Sequence, residues 1–361
     1  MVVAVEAASL RRLRPRNSRP AWRPHGDLLE RAQQTAIFKR GNVEIWRGDA
    51  LRFYPAWTSP TVIISDGPYG VSGFPGDPPT AEHLPEIYEP HIEAWGHAAL
   101  PSTTLWFWNT ELGWATVHPT LVKHGWEYRS CHIWNKGSGH VAGNANTKTL
   151  RKFPVITEVC VQYVRMVTLP APGAPRPLAL REWLRHEWAR TGLPFSKTNE
   201  ACGVRNAATR KYFTKDHLWY FPPAEAFEQL ARYANRHGHR IGRPYFSIDG
   251  NRSVTGQEWD SLRAKFECRF GVHNVWNEPP VRNGERIKSG PRAVHLNQKP
   301  LSLVKLAIEV SSDPGDVVWE PFGGMCTGAL AALQTQRSCF AAERVPEFFD
   351  LACDRLATSD G

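Results

Sequence analysis

Two short apolar runs, far apart in the chain and each ending in a rigid polar turn, constrain the fold most. Thr61-Val62-Ile63-Ile64 leads into Ser65-Asp66-Gly67-Pro68-Tyr69-Gly70. Val317-Val318-Trp319 leads into Glu320-Pro321-Phe322-Gly323-Gly324-Met325-Cys326-Thr327-Gly328. A continuous apolar run bounded by polar turns is the pattern of a strand buried on both faces of a parallel sheet. The second run opens through glycines into an Ala/Leu helix, a turn at which backbone N–H groups approach a ligand closely.

The remaining chain supports that reading. Strands are predicted over 43–46, 103–108, 129–134 and 156–164, with helices over 91–100 and 116–123. The alternation resumes late, with helices at 301–311, 327–334 and 346–356 and strands at 316–319 and 338–342. Alternating strands and helices predict an α/β doubly wound sheet, built from residues 35–170 and 291–361. Glu343 follows the 338–342 strand, where a Rossmann-like site hydrogen-bonds ribose hydroxyls.

Residues 171–290 differ in character. A Pro/Gly linker at 170–177 precedes helices predicted at 180–190, 196–202 with Ser196 as cap, 204–213, 224–237 and 253–270, then a basic loop at 282–292. The 204–213 helix carries Arg205, Arg210 and Lys211, and its setting resembles a helix-turn-helix. These three are the candidate DNA contacts; a plain helical insert with solvated charges is the alternative. Residues 1–34, with Arg11, Arg12, Arg14, Arg16, Arg19 and Arg23, lack hydrophobic periodicity and read as a basic mobile arm, touching phosphates or serving as an inert tail.

The net charge of +9 raises the expectation of a polyanionic partner. No apolar run reaches the roughly 18 residues of a membrane span. The seven cysteines are odd in number and include no Cys-x-x-Cys, which argues against a disulfide framework or zinc site and fits a reducing cytosol. Trp106, Trp108, Trp114, Trp126 and Trp134 read as core or edge packing.

The two motifs together resemble the β-class of DNA amino-methyltransferases, in which the catalytic motif precedes the cofactor motif. The family's Gln-Lys-Pro, Pro-Gly-Asp and Asp-Pro-Phe-x-Gly-x-Gly-Thr strings correspond to Gln298-Lys299-Pro300, Pro314-Gly315-Asp316 and Glu320–Thr327. Its Asp/Asn/Ser-Pro-Pro-aromatic signature corresponds to Asp66-Gly67-Pro68-Tyr69. Trp134-Asn135-Lys136 and Glu158 also stand where members carry similar residues. Three departures are visible: Glu320 replaces Asp, Cys326 stands at the second glycine with Gly324 displaced by one, and Gly67 replaces the first proline.

The resemblance implies a circularly permuted Rossmann-like fold that binds S-adenosylmethionine, with residues 171–290 as a mainly helical target-recognition domain. It implies cofactor contacts from Asp49, Ala50, Asn297, Gln298, Lys299, Pro300, Glu320, Pro321, Phe322, Gly323, Gly324, Cys326, Thr327 and Glu343. The catalytic set is Ser65, Asp66, Gly67, Pro68 and Tyr69. Asp66 and the Gly67 carbonyl would accept the amine hydrogens of a flipped base, Pro68 would fix the backbone, and Tyr69 would stack on the base. The substrate the resemblance implies is double-stranded DNA, with cytosine N4 favoured over adenine N6. A cytoplasmic, nucleoid-associated setting follows; a cognate restriction endonuclease and a homodimer stay open. The rival from another class is a DNA-binding regulator with an inactive methyltransferase scaffold. RNA or protein-glutamine methylation fits less well, because Asp66 stands where those enzymes carry Asn. An oxidoreductase lacks its G-x-G-x-x-G.

Overall fold

The computed structural model describes residues 36–72, 76–137, 151, 153–216, 218–240, 242–281, 287–289, 292–293 and 298–359. The 1–34 arm, Asn297 and most of the 282–292 loop lie outside them. In chain order, the first elements are β1 (Ile37–Arg40), β2 (Val43–Arg47), β3 (Val62–Ser65), α1 (Leu84–Ala98), β4 (Thr104–Asn109), α2 (Glu111–Lys123), β5 (Trp126–Asn135) and β6 (Thr157–Arg165). There follow β7 (Thr168–Leu169), β8 (Leu178–Ala179), α3 (Leu180–Arg190), α4 (Lys197–Ala201), α5 (Ala207–Tyr212), α6 (Ala224–His237), α7 (Gly256–Asp260) and β9 (Val275–Asn277). The chain closes with β10 (Lys288–Ser289), β11 (Arg292–Ala293), α8 (Leu301–Ser311), β12 (Val317–Glu320), α9 (Thr327–Gln334), β13 (Ser338–Glu343) and α10 (Pro346–Thr358).

One large sheet runs in the order β1-β2-β13-β12-β3-β4-β6-β5-β9. Its centre, β2 through β4, is parallel. β6 then runs antiparallel to both β4 and β5. Both faces are covered, which is why the strands read as unbroken apolar runs. Val62 and Ile64 join one core with Val318 and helices α8, α9 and α10. Ile63, Leu105, Phe107 and Trp319 join the other with α1 and α2. This is the permuted Rossmann-like order: β12, late in the chain, pairs directly with β3, which is early. No helix among the described residues is long and apolar enough to cross a membrane.

Several boundaries differ from expectation for identifiable reasons. α1 starts at Leu84 rather than 91, because Pro85 serves its first turn while Pro90, inside the helix, resembles a break in sequence. α2 starts at Glu111 rather than 116, where the Thr110 side chain accepts from Gly113 N–H. The linker at 170–177 is flanked by a short β7–β8 ladder, which ties down both its ends.

The insert has its own aromatic core, with Trp183, Trp188, Phe227, Phe246 and Trp259 buried. The Phe227 and Trp259 rings stack at 4.4 Å. The helix expected over 253–270 is only α7, opened by a Thr255–Glu258 capping box and ending at Asp260. The helix expected over 204–213 begins at Ala207, because Gly203 (φ +64°) and Asn206 (φ −150°) leave helical geometry. Arg205 therefore lies in the turn before α5. The insert returns to the main sheet before 290: β9 pairs parallel with β5, and Trp276 packs between Trp106, Trp108 and His132.

Candidate active site

The parallel pairing of β3 with β12 decides where the site lies. Val62 faces Val318 and Ile63 faces Trp319, so the turns that follow emerge side by side. Between them opens a cavity of about 570 Å³, which the turns after β2 and β13 and the approach to α8 also line.

Backbone hydrogen bonds to buried carboxylates shape the glycine turn. Glu320 accepts from Gly328 N–H at 2.7 Å and Ala329 N–H at 2.8 Å, satisfying the first donors of α9. Burial pushes its carboxyl up to about 8, against the pull of those bonds. A Cβ on Gly328 would lie 2.8 Å from the Glu320 carboxyl carbon, so the helix starts where only glycine fits. Cys326 caps α9 in the left-handed region (φ +50°) and is fully buried. Glu343 accepts from Gly324 N–H and Val345 N–H, both at 2.6 Å, and burial raises its carboxyl. It thus fixes the turn's tip while facing the cavity. Asp49 accepts from Leu51 N–H at 3.0 Å, holding the turn after β2.

On the β3 side, the Asp66 carboxylate meets the Lys299 ammonium at 2.8 Å and accepts from the Tyr69 hydroxyl at 2.9 Å. The Pro68 carbonyl accepts from Tyr88 Oη and Asn109 Nδ2, each at 3.0 Å, which pins the turn. Asp77 accepts from Tyr69 N–H and Val71 N–H, anchoring the loop beyond. Burial, then Asp66 and Glu158, raise the Tyr69 hydroxyl well above its usual value. That hydroxyl is engaged with carboxylates, and Lys299 sits 5.0 Å from the ring centroid.

The cavity gathers Asp49, Ala50, Asp66, Gly67, Pro68, Tyr69, Gln298, Lys299, Glu320, Pro321, Phe322, Gly323, Gly324, Thr327 and Glu343. Three expected residues lie outside its wall: Ser65 is buried within the sheet, Cys326 within the core, and Pro300 caps α8. Glu320 touches the cavity, but both of its oxygens serve α9. Arg205, Arg210 and Lys211 are exposed on the insert, away from the cavity. There, Thr198 and Thr209 hydroxyls meet at 2.7 Å and Thr209 N–H donates to Asn199, setting α4 against α5.

Sequence reasoning missed Asp77, Tyr88, His91, Trp108 and Asn109, which carry no motif. It also missed that Lys299 pairs with Asp66. The Gln-Lys-Pro string could have suggested a role but not a partner 233 positions away.

The walls fit S-adenosylmethionine. The cavity lies within the roughly 300–1,000 Å³ usual for small-molecule sites. It offers Glu343 and Asp49 carboxylates for hydroxyls or an ammonium and the Phe322 and His91 rings for a purine.

Residues 195–354 match the N6_N4_Mtase family, described as DNA methylase. The chain is 35% identical over 162 residues to the type II methyltransferase M.HindIII of Haemophilus influenzae, covering 45% of each. It is 35% identical over 83 residues to the DNA adenine methyltransferase YhdJ of Escherichia coli, covering 23% of this chain and 27% of that one. The matched segments thus span less than half of these curated relatives. Among solved structures, the cytosine-N4-specific PvuII DNA methyltransferase aligns with a TM-score of 0.49 at 11% identity, over 90% of this chain and 88% of that one. The M1.HpyAVI–SAM complex aligns at 0.45 and 14%, over 87% and 99%. The chain is thus similar, over residues 195–354 and over the segments shared with these relatives, to DNA methylases of the N6/N4 type.

Proposed function

We propose that this chain is a site-specific DNA methyltransferase acting on the exocyclic amine of a base turned out of the duplex, with cytosine N4 as target. The supporting observation is Asp66, at the cavity wall, with one carboxylate oxygen already held by Lys299 and Tyr69. S-adenosylmethionine supplies an electrophilic methyl group on a sulfonium sulfur. Gly324, Phe322, Glu343 and Asp49 are the residues that would hold it.

The chemical difficulty is the amine, whose lone pair is delocalised into the ring. The Asp66 carboxylate accepts one amine N–H and the Gly67 carbonyl the other, which favours a tetrahedral nitrogen with a directed lone pair. As the C–N bond forms, the methyl–sulfur bond would break and release a neutral thioether, and positive charge grows on nitrogen beside a fixed carboxylate, the preorganised stabilisation that lowers such barriers. The nitrogen then loses one proton, and Asp66 is the base in reach. The insert supplies sequence choice through Arg205, Arg210 and Lys211.

The test is long-read sequencing of DNA from a methylation-free host expressing this chain, with Asp66→Ala as control. Modified cytosine in one short motif, absent with Asp66→Ala, is expected. Modified adenine would reassign the base. DNA binding with no modified base in either strain would favour the inactive-scaffold regulator.

A further inference from the structure

At the cavity wall, four charged side chains from distant parts of the chain meet, Asp66 and Lys299 lining it and Glu158 and Lys136 lying behind them. Lys299, only 3% exposed, lies 2.8 Å from Asp66 Oδ1 and 3.4 Å from Glu158 Oε2. The Tyr69 hydroxyl reaches the same two carboxylates, at 2.9 and 3.3 Å. Lys136, the residue after β5, donates to the other Glu158 oxygen. The Tyr69 and Trp108 rings flank the Lys299 ammonium at 5.0 and 5.7 Å.

Two carboxylates joined through one hydroxyl repel each other, and a buried pair of that kind retains a proton unless a cation balances it. Burial opposes the Lys299 charge, but Asp66 and Glu158 outweigh it, and the ammonium is raised above its usual range. Burial likewise opposes the Glu158 charge, while Lys299 and then Lys136 hold it below the usual carboxylate range. The other titratable groups facing Asp66 are Tyr88, Asp77, Cys160 and Glu320, none of them cationic.

We propose that Lys299 is a positioning residue for the transfer site: it balances the Asp66–Glu158 pair and, with Tyr69, fixes Asp66 Oδ1, so that the other oxygen is presented to the substrate amine. The inference rests on the reading of Asp66 given above. Lys299 acts through Asp66 and meets no reacting atom. Glu158 is the counterweight that lets a full ammonium sit in the interior, and Lys136 completes a neutral set of two cations and two anions.

The test compares the full chain with Lys299→Met and with Lys299→Met/Glu158→Gln. Thermal unfolding is the first readout. Without the ammonium, the carboxylate pair binds protons more tightly folded than unfolded, so stability is lost as pH rises. The Tm deficit of Lys299→Met is expected to be about twofold larger at pH 8 than at pH 5, with Glu158→Gln recovering about half of the pH 8 loss. An equal deficit at both pH values, unrelieved by Glu158→Gln, would make Lys299 a packing residue and overturn the proposal. This readout needs no methyl transfer, so it stands apart from the functional reading.

The second readout is tritium transfer from S-adenosyl-[methyl-3H]methionine to unmethylated bacterial DNA. For Lys299→Met, kcat is expected to fall about 100-fold with KM for the methyl donor within about threefold. Unchanged kcat in the folded variant would overturn the positioning role. No transfer by the unaltered chain would sink the functional reading, while the unfolding data would still decide the charge balance.

Discussion

The Phe322 ring closes onto Gly67: a Cβ at residue 67 would lie 2.7 Å from Phe322 Cδ2 and 2.6 Å from the Tyr88 hydroxyl oxygen. The two residues belong to the two motifs, so their contact is where the halves of the site meet. It gives a steric reason for glycine where the resembling family carries proline. Restoring that proline should therefore harm this chain. Gly67→Pro is expected to cost about 1–3 kcal/mol through overpacking and to weaken S-adenosylmethionine binding, because Phe322 must move within the cavity wall. Denaturant unfolding and calorimetry report the two effects; an unchanged midpoint and affinity would mean the ring yields freely.

The sheet was legible because its strands are buried on both faces: 62–65 and 317–320 carry no polar residue before their last positions, Ser65 and Glu320, and no other element suits such runs. Helices α3, α6, α8 and α9 were legible end to end from spacing alone. Prolines hid the start of α1, since Pro90 breaks a pattern that the fold tolerates. The insert was least legible because its core is made of aromatic stacks between irregular segments, such as Phe221 on Trp259 at 4.5 Å, which leave no period in the sequence. Within the site, motif residues were readable and their partners were not. Asp66 announces itself by its neighbours in sequence, but Lys299 and Glu158 reach it only through the fold.

Glu320 should give the fold a pH dependence of its own. Its carboxyl is pushed up to about 8 by burial, far above its unfolded value of about 4.3. A raised folded value means that its contribution is fully present below the unfolded value and is lost as pH rises through about 8. Stability is expected to fall between pH 6 and 8 by up to about 1 kcal/mol per unit. His91 and His132, both lowered by burial to about 4, stay neutral across that window. Glu320→Gln should reduce the slope, leaving the smaller part from Glu343, whose carboxyl burial also raises, while losing about 1 kcal/mol overall, since an amide cannot accept from both Gly328 and Ala329 through two oxygens. Denaturant midpoints at pH 6, 7 and 8 check this; the same slope in both proteins would assign it elsewhere.

Glu343 holds the glycine turn and faces the cavity at once, so its two functions can be separated by chemistry. Glu343→Ala removes both, and is expected to weaken S-adenosylmethionine binding by about 1–3 kcal/mol. Glu343→Gln keeps one acceptor for Gly324 N–H or Val345 N–H and should lose less. Calorimetry on both folded variants is the check. Equal affinity in all three proteins would rule out any part for Glu343 in the cofactor site.

The insert offers the last prediction. Arg205 stands in the turn before α5, and Arg210 and Lys211 lie on α5 itself, all three exposed. Hydrogen bonds from Thr209 to Asn199 and Thr198 hold α5 at a set angle to α4, and a buried aromatic core supports both. Basic side chains on so fixed a platform suit a duplex groove. Replacing all three with alanine should abolish sequence-specific DNA binding and leave S-adenosylmethionine affinity unchanged, because none of them lines the cavity. If they touch only phosphates, the salt slope of binding should fall by about one unit for each. If one reads a guanine edge, its single replacement should instead cost about 1–3 kcal/mol at one base position and leave other sequences unaffected. Fluorescence anisotropy with the methylated motif's duplex, at several salt concentrations, separates these cases. Undiminished, sequence-specific binding by the triple variant would move recognition off α5 and onto another surface of the chain.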